Sequence, residues 1–479
     1  MLFNSLIYIF IFLPITIIIY SLLLKKHLLA ISKLWLIISS IIFYAYYDPK
    51  YTFLLLISML INFTIGNLFH EKLFADSIKR KLLLVTGLVF NILLLGYYKY
   101  ANFFIDNVNA LFHSDISIQK IILPLGISFF TFTQISYLVD EYKKEAKEYN
   151  FINYMLFVTF FPHLIAGPIL HHKEIIPQFS EKRRKIFQYK NLIIGIFLFT
   201  IGLFKKVILA DSFSTYVNYG YGSAEISMLE GWIVVLSYTL QIYFDFSGYT
   251  DMALGSAKML NIDLPINFNS PYKANSIQDF WRRWHITLSR FLRDYVYIPL
   301  GGNRKGETRT YFNLLITMLI GGLWHGASWM FILWGGIHGL ALCVNKIWQK
   351  TKINIANWIN ITLTFVFINF TWVIFRADSF AQVKKILYSL FDFHNFIIPK
   401  TYGLTFKFIE NRYECIILLL PLAMLLIFVA KNSNQIISDI KFEKKNVSIL
   451  MSIVFALIFI MSIIKTIAVP YSEFIYFNF

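Results

Sequence analysis

Two histidines stand in sequence that is otherwise apolar. The run 318–340, MLIGGLWHGASWMFILWGGIHGL, carries His325 and His338 among large apolar residues and six glycines. An ionisable group at membrane depth is costly, and it usually faces a cavity or the interior of a helical bundle. A neutral imidazole there can take a proton from a hydroxyl and return it to a leaving group, which makes each histidine a candidate general base. The competing reading is a structural histidine bonded to a neighbouring helix. Residue physics leaves both readings open for His325 and favours the structural one for His338. The glycines permit close backbone approach, or access for a substrate.

The densest polar stretch lies just upstream, at 267–304, NFNSPYKANSIQDFWRRWHITLSRFLRDYVYIPLGGNR. Trp281, Trp284, Leu288, Phe291 and Leu292 recur at helical spacing, whereas Arg282, Arg283, Arg290, Arg293 and Asp294 fall largely off that stripe. The pattern predicts an amphipathic helix over 277–300 at the cytoplasmic interface. It reads either as a plain surface helix or as a wall of a site. In the second case His285 points inward and the arginines meet an anionic donor such as a coenzyme A phosphate.

Other chemistries find no support. The metalloprotease H-E-x-x-H, the phosphate-binding loop and the G-x-S-x-G elbow are absent. His171 and His172 are adjacent, without the carboxylate or thiolate partners of a metal site, so no metal is expected. Cys343 and Cys415 are the only cysteines, and both sit in apolar stretches. Asp245 and Asp251, in YFDFSGYTDMALG (243–255), read as proton-relay or structural acids near the end of a span.

The elements that position these groups are membrane helices. Hydrophobic residues make up 57% of the chain and charged residues 15%, against about 25% charged in a soluble domain. Twelve apolar segments are expected to span: 4–24, 34–47, 51–69, 82–97, 120–139, 190–204, 230–248, 309–327, 328–345, 356–375, 413–430 and 447–468. The first reads as a span rather than a cleaved signal. The segment 151–170, interrupted by Pro162, Gly167 and Pro168, reads as re-entrant or broken. The net charge of +17 fits basic cytoplasmic loops and anionic lipids rather than nucleic acid. Placing those loops inside puts both termini, and the tail 469–479, outside. Lys205 and Lys206 then fall on the outer side, where they must snorkel or line a watery cavity.

Five stretches carry a resemblance: LPLGISFFTFTQISYLVD (123–140), FFPHLIAGPI (160–169), 243–255, FWRRWHITLSRFLRDYVYIPLGGNR (280–304) and GGLWHGASWMFILWGGIHG (321–339). In these the chain resembles the membrane-bound O-acyltransferase (MBOAT) superfamily, and more closely its bacterial envelope branch. The resemblance implies an all-α polytopic bundle filling 1–479, with core motifs in 120–345, about twelve transmembrane helices plus re-entrant segments, and a funnel or tunnel thinned where the histidines sit. It implies His325, in its W-H-G context, as the catalytic residue, with His285, forty positions earlier, as its partner. Arg282, Arg283, Trp281 and Trp324 form the candidate donor-binding set.

The final residues, YSEFIYFNF (471–479), resemble the tail of the small partner protein in teichoic acid D-alanylation. That likeness implies Tyr476 as an acyl carrier, against the plain reading of an interfacial aromatic anchor. The expected protein is a multi-pass acetyltransferase of the cytoplasmic (inner) membrane. It takes acetyl from acetyl-coenzyme A, binds no cofactor permanently, and serves an extracytoplasmic SGNH/serine-esterase-like partner that acetylates peptidoglycan. Alginate or another exopolysaccharide, D-alanine export, a long-chain acyltransferase and a non-catalytic transporter are the alternatives.

Overall fold

The structure is a computed structural model that describes residues 1–47, 49–74, 76–117, 121–145, 150–179, 188–396, 416–440, 449–468 and 474–478. The described residues are helical or irregular, with no strand among them. Each of the twelve expected segments contains a helix. Seven helical stretches, from Tyr8–Lys25 to Ile449–Ala468, are long and apolar enough to cross a membrane. Leu419–Phe428 with Ser433–Asp439, bent by 61°, makes an eighth. The remaining helices are shorter or carry charge. Leu29–Ala45 has 17 residues, Ile127–Tyr142 has 16 and includes Asp140 and Glu141, and Met228–Met259 includes Glu230, Asp245, Asp251 and Lys258.

Contacts divide the chain into two compact units: Met1–Phe199 with Met252–Pro265, and Thr200–Asp251 with Ile266–Phe479. In the first unit, polar side chains link helices whose remaining surfaces are apolar. Asn62 donates to Gln134 Oε1 at 2.6 Å and Asn91 donates to Asn62 at 2.6 Å, all three buried. Amides play this part between membrane helices because water is not there to compete. The segment 151–170 is broken, as its prolines and glycine imply. Asn150 caps Phe151–Thr159, the helix stops at Phe160, and a four-residue turn, Phe161–Leu164, follows. The amide of Phe161, left over at the break, is satisfied by Ser40 Oγ at 3.0 Å.

The second unit holds the functional candidates. Glu307–His325 and Trp329–Thr351 form a hairpin joined by Gly326, Ala327 and Ser328, with Ser328 accepting from the Met330 amide at 3.1 Å as the N-cap. The helices cross so closely that a methyl group at Gly322 would run into the Phe331 carbonyl. Gly326 is extended, so its lack of a side chain reflects space: a Cβ there would overlap the Phe331 ring. The W-H-G sequence is thus a helix end followed by a turn at which any side chain would have to displace the Phe331 ring.

One sequence expectation fails in the structure. The continuous helix over 277–300 is in fact interrupted: Ile277–Arg283 ends at Trp284, and Ile286–Leu292 restarts after His285. Lys205 and Lys206 lie on a π-type turn, Lys205–Ala210, and both face acids. Lys205 pairs with Asp251 at 2.7 Å, and Lys206 lies 2.7 Å from Asp245 and 2.8 Å from Asp211. The acids of 243–255 supply the counter-charges that the lysines need at that depth.

Candidate active site

His285 owes its position to the helix break. Its backbone is left-handed, at φ 43° and ψ 53°, a conformation that costs a non-glycine residue about 1–3 kcal/mol unless its surroundings enforce it. The irregular segment 267–269 does the enforcing. Asn267 O accepts the Ile286 amide at 3.0 Å, and Asn269 N donates to Arg283 O at 2.9 Å, so the backbone groups freed by the break find partners. The Asn267 carboxamide oxygen also accepts the Thr287 amide at 3.1 Å and the Thr287 hydroxyl at 3.0 Å.

That arrangement decides the tautomer of His285. An amide N–H can only donate, so the Asn267 atom facing it is oxygen. The His285 Nδ1 at 3.2 Å from the same oxygen therefore carries a hydrogen and donates it. Nε2 keeps its lone pair, and it has no hydrogen-bond partner among the described residues. Burial pushes the imidazole down to about 3, so it is neutral at working pH. A fixed, neutral ring with an available Nε2 is what a general base requires. Asn267 is the residue that sequence reasoning missed. It is 18 positions from His285 and in an irregular segment rather than on the same helix, so no helical spacing rule points to it.

His325 ends its helix next to Trp324 and meets the edge of Trp334 at 5.1 Å between ring centroids and Phe375 at 5.2 Å. The His285 and His325 rings are 6.4 Å apart. The third member of the group comes from the far end of the chain. The ring of Tyr476 lies 5.6 Å from His325 and 6.4 Å from His285, packed against Phe246 at 4.3 Å. Tyr476 is buried, and burial holds its phenol protonated, well above the ordinary tyrosine range. A nucleophile in that state needs a base, and two imidazoles adjoin it. Residues 469–473 and Phe479, on which the external placement of the tail partly rests, lie outside the described residues.

His338 differs. The Trp281 indole N–H donates to its Nδ1 at 3.2 Å, so its hydrogen is on Nε2, 3.2 Å from Thr371 Oγ1, whose hydroxyl is itself donated to Ile368 O. Both ring nitrogens are engaged, which is the structural arrangement preferred for it from sequence.

The four candidate donor-binding residues separate. Trp281 and Arg282 line a cavity of about 950 Å³ together with Arg290, Arg293, Arg304, Lys305 and Lys346; among the described residues no carboxylate lines it, though Arg293 pairs with Asp294 at 2.7 Å. Ile286, the neighbour of His285, and Met318, on the His325 helix, form part of the same wall. Arg283 instead pairs with Asp279 at 2.9 Å, and Trp324 packs 5.8 Å from the His285 ring, with the histidines rather than in the cavity. Among the described residues no cluster of His, Cys, Asp and Glu suits a metal ion.

The second unit thus brings two imidazoles and a buried phenol together, with a cationic cavity beside them. The chain matches the membrane-bound O-acyltransferase family over residues 100–381. It is 40% identical over 529 aligned positions to the peptidoglycan O-acetyltransferase of Helicobacter pylori, covering 100% of this chain and 98% of that protein. It is 37% identical over 402 positions to the probable alginate O-acetylase AlgI of Pseudomonas aeruginosa, covering 82% and 75%. Over 282 positions, 55% of this chain and 71% of the relative, it is 29% identical to the teichoic acid D-alanyltransferase of Bacillus subtilis. The chain belongs to the MBOAT family, and it is a multi-pass membrane acyltransferase.

Proposed function

We propose that the protein moves acetyl groups from cytoplasmic acetyl-coenzyme A to the outer face of the inner membrane, for O-acetylation of peptidoglycan. The observation that carries this reading is the placement of the Tyr476 phenol beside His325 and His285. The cationic cavity supports a donor bearing several phosphates, and the full-length likeness to a peptidoglycan O-acetyltransferase supports the acceptor.

The donor's phosphates bind the arginines and lysines of the cavity, with the thioester directed past Trp281 and Ile286. The two imidazoles adjoin the phenol ring, and the tautomer of His285 leaves Nε2 available to take a proton. A histidine takes the Tyr476 proton as the phenol oxygen attacks the thioester carbonyl. The carbon–sulfur bond breaks, the same proton goes to the departing thiolate, and acetyl is left as an ester on Tyr476. Buried aromatic walls exclude the water that would otherwise hydrolyse the donor. A hydroxyl of the extracytoplasmic serine-esterase-like partner then attacks the tyrosyl ester and restores the phenol.

Tyr476→Phe removes one oxygen and keeps the ring. Cell-wall acetate is expected to fall as far in this variant as in His325→Ala, with normal accumulation of protein. Mass spectrometry of the wild-type C-terminal peptide is expected to show an acetyl adduct that builds up when the extracytoplasmic partner is deleted. Wild-type acetylation in Tyr476→Phe overturns the carrier role.

A further inference from the structure

The ion pairs around Lys206 compensate a buried lysine, but one oxygen of that cluster does something else. Asp245 Oδ1 faces Lys206 Nζ at 2.7 Å, and Oδ2 accepts the backbone N–H of Ile475 at 2.9 Å. Ile475 immediately precedes Tyr476. One helical turn along, Tyr249 stacks on Phe474 with centroids 4.2 Å apart and planes 18° from parallel. Phe246, between the two on the same helix, meets Phe474 at 5.6 Å and Tyr476 at 4.3 Å. One face of Met228–Met259 thus holds three consecutive residues of the tail, by a charge-assisted hydrogen bond and aromatic contacts on either side of it.

We propose that Asp245, held in place by Lys206, which Asp211 also pairs, is the dock of the C-terminal segment, and that it sets the Tyr476 phenol against His325 and His285. Asp245 is a positioning residue acting through Tyr476, so its catalytic consequence rests on the carrier reading above. The recognition is of backbone at Ile475 and of rings on either side. The dock therefore tolerates a change of side chain at 475 but not loss of its N–H. A carboxylate is suited to a bond that is made and released, because the Lys206 ammonium still faces its other oxygen when the tail departs.

The test uses the full-length protein in nanodiscs, with hydrogen exchange followed on the C-terminal peptide and O-acetylation measured in cells. Asp245→Ala removes the acceptor. Ile475→Pro removes the donor, at the first position of a short helical turn, where proline is tolerated. Each is expected to speed exchange of the tail by about tenfold or more, the shift that one hydrogen bond to a charged group makes. Each should lower acetylation by a similar factor, with exchange across Glu307–His325 unchanged. The side chain at 475 has no part in the hydrogen bond, so Ile475→Val should behave as wild type. Unchanged tail exchange in Ile475→Pro overturns the dock, even where Asp245→Ala fails to fold. A loosened tail with wild-type acetylation overturns the positioning role. If Tyr476→Phe is silent while Ile475→Pro frees the tail, the dock stands and the carrier reading falls; inactive Tyr476→Phe with a tail indifferent to Ile475→Pro gives the converse.

Discussion

The phenol ring of Tyr476 and the imidazole of His325 lie 5.6 Å apart, inclined by 58°. One belongs to the last few residues of the chain and the other to a helix end inside the family's core motif. Their meeting turns a terminal aromatic into a candidate nucleophile.

Loss of the His325 imidazole removes a proton acceptor beside that phenol. His325→Ala is expected to lower cell-wall O-acetylation by roughly 10²–10⁴-fold, the usual contribution of a general base, while the protein accumulates normally. Base-released acetate from purified sacculi measures it, and near-normal release sinks the assignment.

Asn267 fixes the tautomer of His285, so its replacement has a graded signature. Asn267→Ala is expected to cost about 1–3 kcal/mol of stability, because the buried Thr287 amide loses its acceptor, and about 10–100-fold in transfer through the misoriented base. Asn267→Asp keeps an oxygen toward Thr287 and adds a negative charge, which favours protonated His285. The Asp variant should therefore be stable near neutral pH yet gain an acid limb in its pH–rate profile. A flat profile in that variant argues against His285 as a base.

The wild-type protein should show no acid limb from His285 near pH 6.5. The folded-state value is lowered to about 3, against about 6.5 unfolded. Between those values the unfolded chain binds more protons, so stability falls as the pH drops through this window. Melting temperature from pH 7.5 to pH 5 should decline more steeply in the wild type than in His285→Gln. Parallel curves contradict the burial of a neutral imidazole.

Substitutions in the cavity separate binding from chemistry. Arg282→Ala and Lys346→Ala, each removing a cavity cation, are expected to raise KM for acetyl-coenzyme A by about tenfold with little change in kcat, and added salt should mimic them. Arg283→Ala should do neither, since Arg283 pairs with Asp279. Equal effects at 282 and 283 would indicate a general surface field.

Topology is testable without activity. With the basic stretch 273–309 in the cytoplasm, a single cysteine at Asn303 should resist a membrane-impermeant maleimide in intact cells, and one at Ser472 should react. The opposite pattern inverts the arrangement of loops.

Much of the molecule was legible in the residues themselves. Apolar runs locate helices because a bilayer demands internal backbone bonding, and twelve expected segments each contain one. Pro162, Gly167 and Pro168 announced a break, and apolar, glycine-rich flanks marked His325 as a buried imidazole. The sequence also contained both members of each deep ion pair, Lys205 with Asp251 and Lys206 with Asp245, but as an apparent conflict, because charge counting cannot say which residues face one another. The break at His285 was hidden for a related reason. Periodicity reports which face of a helix is apolar, and it is blind to a backbone reversal enforced by Asn267 from outside the helix. Only the tertiary structure put Tyr476 beside the histidines. A tail motif carries no information about where its last residues dock, and that depends on a carboxylate oxygen and two rings on another helix. Sequence determined the elements and the chemistry available, because those depend on local composition. Packing decided which groups meet, because that depends on contacts between residues far apart in the chain.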